Sequence, residues 1–172
     1  MRSNQPVPDA LPILAFVSLQ RLAELYLSAR NTTRLRARGA YEVGAEHYPA
    51  MVALHAAWLG GLWIFAWPLS ANWVLIAIYA ALQIVRIWVI ASLGERWTTR
   101  IIVLPSAPLV RSGPYRFFKH PNYVIVAAEI ALLPLAFGLV VYAMIFSAAN
   151  AALLLWRIQT EEHALANREG PV

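Results

Sequence analysis

Two short polar stretches interrupt a mostly apolar chain. The first is RSGPYRFFKHPNYVI, residues 111–125, with three cations, a histidine, two prolines and two tyrosines. The second is WRIQTEEHAL, residues 156–165. In a helix, Arg157, Glu161 and Glu162 fall on one side at i, i+4 and i+5. A guanidinium takes a carboxylate as a forked pair, and glutamates accept from hydroxyls or an ammonium group. Pro121 holds His120 extended and suits the first turn of a helix. That helix N-terminus, near His120 and Tyr123, offers free N–H groups. If the two stretches meet, Tyr115, His120, Tyr123, Arg157, Glu161 and Glu162 form one pocket. Its cations, anions and aromatic rings suit a zwitterionic, nucleoside-bearing ligand.

What brings the stretches together must be read from the rest of the chain. It has 172 residues, of which 60% are hydrophobic and only 13% charged, about half the usual charged share of a soluble domain. The bilayer is the fitting solvent. No cysteine is present, which excludes disulfides, thiolate metal sites and cysteine nucleophiles. The net charge of +5 sits in gaps between apolar runs, so it reads as membrane topology and not as a nucleic-acid face.

The expected fold is all-α: a single integral membrane domain, 1–172, with five spans at about 10–29, 49–69, 72–93, 122–136 and 139–158. The first span, with Gln20, Arg21 and Glu24, reads as retained and not as a cleaved leader. The apolar stretch 124–156 would make one helix of about 50 Å at 1.5 Å per residue. Pro134 and Gly138 near its middle make a tight hairpin the better reading. Arg30, Arg34, Arg36 and Arg38, then Arg96, Arg100, Arg111, Arg116 and Lys119, then Arg157 and Arg168, all fall on one side if there are five spans. Segments 30–48 and 94–121 and the tail 157–172 are then cytoplasmic, and the N-terminus, with only Arg2, is extracytoplasmic. The Arg30–Arg38 group would also meet anionic lipid. In loop 94–121, IIVLP and PLVRS read as two extended arms of a turn about Ser106 and Ala107.

GPYRFFKHPNY followed by RIQTEEHAL resembles the isoprenylcysteine carboxyl methyltransferase family, within the broader phospholipid methyltransferase group of membrane enzymes. Lys119 stands where the family's usual pattern has Arg, keeping the charge, and LGERWTTRIIV, 93–103, is also similar. The resemblance covers about residues 80–165. It implies S-adenosylmethionine as methyl donor, with binding roles for His120, Pro121, Tyr123, Arg157, Glu161 and Glu162. Arg157 would take the donor's carboxylate, and Tyr115 would stand as an aromatic wall near the sulfonium. It also implies O-methylation of a lipophilic acceptor, a prenylcysteine-like carboxylate or a phenolic lipid. The alternatives are amine N-methylation of a phospholipid and an NADPH-dependent sterol-type reductase.

Acceptor handling points to ionisable groups at membrane depth, which are costly there and usually functional: Arg21, Glu24, Gln83, Arg86 and Glu129. Arg86 could orient an acceptor anion. Glu129 could act as base or pair with Arg86, while Arg21 and Glu24 could neutralise each other. His47 and His55 lie eight apart, but nothing completes a metal site, and none is expected.

Overall fold

A computed structural model of the protein describes residues 8–105 and 107–166. Arg2, Ser106 and Arg168, each of which carries part of the expected topology or turn, lie outside the described residues. Five helices are present: α1 Ala10–Ala37, α2 Tyr48–Phe65, α3 Trp73–Leu93, α4 Pro121–Ala136 and α5 Val140–Ala166. Two three-residue strands, β1 Tyr41–Val43 and β2 Ile101–Val103, add a small antiparallel pair.

Four segments are long and apolar enough to cross a membrane: Ala10–Ala37, Ala45–Phe65, Trp73–Arg96 and Val140–Ala166. α4 is a shorter apolar helix. Its 16 residues reach only about 24 Å. The turn after α4 explains its length. Gly138, at φ +72°, takes the left-handed conformation that glycine adopts without strain. Leu139 N–H donates to the Pro134 carbonyl at 3.0 Å, and Gly138 N–H to the Leu135 carbonyl at 2.9 Å. These two bonds are a Schellman cap, so the chain reverses at the Pro134–Gly138 break and α5 runs back along α4.

The outer helices turn apolar side chains outward, among them Phe16, Leu19, Ile84, Ile87, Val141 and Met144, as a lipid-facing surface requires. The dry core lies towards the α1 start: Leu14 and Val17 pack with Trp58, Leu62, Ile130, Leu133 and Phe137. Trp58 indole N–H donates to the Ile130 carbonyl at 3.1 Å, and the Tyr142 hydroxyl donates to the Trp58 carbonyl at 2.7 Å. A Cβ on Gly61 would collide with that tyrosine hydroxyl, whereas nothing lies within 4 Å of one on Gly60. Gly61→Ala should therefore cost about 1–3 kcal/mol by overpacking, and Gly60→Ala should not. Unfolding midpoints of the two variants in detergent check this.

α1 continues to Ala37, so Arg30, Arg34 and Arg36 ride on the helix beyond the expected span. α5 runs on to Ala166, the helical extension of the last span that sets Arg157 and Glu161 on one side. One expectation needs correction. The arm Ile101–Val103 does not pair with 108–112. It pairs with Tyr41–Val43, in register Tyr41 to Val103 and Val43 to Ile101. Glu42 ties this pair to both sides, 2.6 Å from Arg100 and 2.5 Å from Arg36. The rejected arm begins at Pro108, which has no N–H for a ladder; its carbonyl instead accepts from Arg96 at 2.5 Å.

Candidate functional site

Pro121 is the first residue of α4 and is buried. It seats His120 at the helix N-cap, and the first turn carries Tyr123. The polar end of α5 lies alongside. The Tyr123 hydroxyl donates to Glu161 and accepts from Arg157 Nε at 2.8 Å. The His120 ring stacks on Tyr123, centroids 5.4 Å apart at 16°, and its Nε2 lies 3.3 Å from Glu162. Lys119 Nζ reaches Glu162 at 2.5 Å. Tyr115 stands close by; its own burial, and then the Glu161 charge, push its phenol above the usual range. The loop and tail residues named from sequence thus converge.

Arg157 is the unusual member. It is 5% exposed, yet among the described residues no carboxylate forms an ion pair with it. One edge is held by Tyr123, and Nη1 meets the Met51 sulfur at 3.5 Å, a weak acceptor. A buried guanidinium without an anion is costly.

The Glu162 carboxyl is held below its ordinary range, first by the Lys119 hydrogen bond and then by His120. A carboxyl depressed in the folded state contributes stability above its unfolded pKa and loses it as pH falls through the folded value. The tail should therefore loosen from the loop only at pH below the ordinary carboxylate range. Distances between spin labels at Phe117 and His163 should broaden there, and Glu162→Gln should remove the transition.

A cavity of about 370 Å³ runs inward from Tyr123 and Arg157. Arg21, Glu24 and Arg86 line its deep side; Leu22, Leu25, Val52 and Leu59 line it between α1 and α2. Leu22, Leu25 and Val52 are exposed on the outer surface as well, so only apolar side chains of α1 and α2 part the cavity from that surface there. Asn122 and Trp97 also line it, and Asn122 Oδ1 and Trp97 Nε1 are buried without a hydrogen-bond partner among the described residues.

The deep charges form one network. Arg86 grips Glu24 with Nε at 2.5 Å and Nη2 at 2.6 Å, and reaches Glu129 with Nη1 at 2.8 Å. Arg21 donates to Glu129 at 2.7 Å and to Glu24 at 3.0 Å. Gln83 donates to Glu129 at 2.9 Å. Two arginines balance two glutamates. Arg21 and Glu24 do pair, but as half of this larger set, and Glu129, 0% exposed, sits behind the cavity wall.

The sequence reading missed the cavity roles of Tyr48, Met51, His55, Trp97, Thr99 and Asn122. His47 and His55 have separate surroundings: His47 packs on Trp156, centroids 5.5 Å apart, while His55 lines the cavity. A histidine within an apolar run was the available signal for His55.

The profile of the isoprenylcysteine carboxyl methyltransferase family matches residues 73–167. The chain is 38% identical over 160 residues to the uncharacterized protein YpbQ of Bacillus subtilis, spanning 89% of this chain and 94% of the relative. It is 27% identical over 158 residues to an uncharacterized protein of Haemophilus influenzae, spanning 86% and 89%. No solved structure matches.

Proposed function

The chain belongs to the isoprenylcysteine carboxyl methyltransferase family of integral membrane methyltransferases, and from that premise we propose that it methylates an oxygen of a lipophilic acceptor, using S-adenosylmethionine. The observation that carries the proposal is Arg157, a buried guanidinium with no anion of its own among the described residues, lining a cavity. The donor's carboxylate supplies the missing partner as a forked pair. Glu161 and Glu162 offer acceptors for hydroxyl and ammonium groups, and His120, Pro121 and Tyr123 form a wall. Tyr115 adds an aromatic face for a cation. The unpartnered Asn122 Oδ1 and Trp97 Nε1 are further sites for a polar ligand. When bound, the donor supplies an electrophilic methyl carbon; the residues around it orient, and exclude water.

The acceptor enters sideways between α1 and α2, past Leu22, Leu25 and Val52, with its tail left in the bilayer. Arg86, with Arg21, orients its oxygen from the deep side. Of the two roles open to Glu129, pairing with Arg86 is the one its three donors support. Segments 30–48 and 94–121 and the tail 157–172 face the cytoplasm, and the N-terminus faces away. The β1–β2 pair and the Lys119–Glu162 contact support gathering them at one end of a single membrane domain, 1–172.

Amine N-methylation of a phospholipid is the second reading. Calorimetric titration of the purified chain tests the donor: binding of S-adenosylmethionine is expected, and binding of NADPH instead, or of neither, would overturn the proposal. Incubation with labelled donor and a membrane lipid extract then identifies the class of acceptor.

A further inference from the structure

His55 lies in α2, within the cavity wall. Its Nδ1 is 2.8 Å from the Met51 carbonyl oxygen. A carbonyl only accepts, so Nδ1 carries the proton, and in the neutral ring Nε2 keeps a lone pair. Nε2 has no hydrogen-bond partner among the described residues. The ring is therefore a base with a fixed tautomer, held on a rigid helix.

Among the described residues, the other groups of this space that could take up a proton are committed, and the unpartnered Asn122 amide oxygen and Trp97 indole N–H are not bases. From α1, Glu24 accepts from Arg86, Arg21 and Gln20. From α3 comes Arg86, and behind it the α4 Glu129 accepts from Arg21, Arg86 and Gln83. Also from α4, the Tyr123 hydroxyl donates to Glu161. From α5 comes Arg157, and on α2 itself the Tyr48 hydroxyl meets Thr99 at 3.2 Å. His55 Nε2 is left as an uncommitted proton acceptor.

Resting on the methyltransferase reading above, we propose that His55 is the general base, and that the acceptor's reacting group is a weakly acidic hydroxyl, a phenol or an enol. A carboxylate would arrive without a proton and need no base. A phenol near pKa 10 arrives protonated. Its O–H bond breaks, the pair stays on oxygen, and the proton goes to Nε2. The oxygen pair forms the bond to the methyl carbon as the carbon–sulfur pair returns to sulfur, which leaves as a neutral thioether. The imidazolium then returns its proton to water at the cytoplasmic mouth.

The test uses the full chain in detergent or nanodiscs. Nitrogen-15 NMR of histidine-labelled protein, without donor, should report the Nδ1–H tautomer in a signal absent from His55→Asn. The asparagine keeps a donor for the Met51 carbonyl but has no second nitrogen; His55→Gln serves as the alternate. With pentadecylphenol as acceptor, turnover should fall about 10²- to 10⁴-fold in His55→Asn, with donor affinity unchanged. The wild-type rate should rise with pH through one ionisation well below that of the phenol, and the variant should lack this step. With N-acetyl-S-farnesylcysteine, a carboxylate, the variant should lose far less turnover than with the phenol, and the pH step should be absent from both proteins. An Nε2–H tautomer, phenol turnover unchanged in the variant, or turnover of the carboxylate probe alone overturns the assignment. Failure of the wild type to bind donor would instead sink the methyltransferase reading, whatever the tautomer.

Discussion

Arg157→Ala should weaken donor binding by about 10²- to 10³-fold, roughly 3–4 kcal/mol. Two charge-assisted hydrogen bonds to a carboxylate account for a loss of this size, at about 1.5–3 kcal/mol each. Arg157→Lys should recover only part of it. The ammonium keeps the charge but loses the planar fork and the Nε bond to Tyr123. Fold stability gives the decisive contrast. Without ligand, Arg157 is a buried cation lacking an anion among the described residues, so its removal should leave the unfolding midpoint unchanged or slightly higher. Affinity falls while stability does not, and a purely structural arginine would show the reverse. The measurement is a donor titration beside an unfolding curve for the same three proteins. Undiminished affinity in the alanine variant would end the case for Arg157 as the carboxylate site.

The convergence of loop and tail was legible because it rests on local chemistry. Pro134 and Gly138 mark the reversal, the 3.6-residue period sets Arg157 and Glu161 on one side, and Pro121 starts α4 where His120 and Tyr123 are needed. The deep network was half legible. Arg21, Glu24, Gln83, Arg86 and Glu129 announce themselves as polar groups at membrane depth, but hydropathy says nothing of which way each helix is turned. That all five meet follows from the packing of α1, α3 and α4. The cavity face of α2 left almost no trace, since the helix is apolar on every side and His55 alone marks the inner one. The strand pairing was hidden for another reason. Its partners are three residues long and far apart in the chain, and Glu42, which anchors them, reads in sequence as an ordinary loop charge.

Glu129→Leu should cost about 3–5 kcal/mol of stability, the usual loss when one partner of a buried ion network is removed. Glu129 is fully buried and takes bonds from Arg21, Arg86 and Gln83. Without it, Arg86 still grips Glu24 with both Nε and Nη2, but Arg21 becomes a surplus cation in a dry setting. Balance predicts the remedy. Adding Arg21→Met to Glu129→Leu restores one arginine against one glutamate and should recover at least about 1 kcal/mol, although it is a second core substitution. Independent sites would instead add their losses. The cycle of wild type, two single variants and the double, unfolded in the same bicelles, measures the coupling directly. Additive losses would mean that Arg21 does not answer to Glu129. Donor titration of the four proteins separates this network from the proposed ligand site: affinity should not change with Glu129, because the deep charges hold α1, α3 and α4 together while the proposed donor site lies where α4 meets α5.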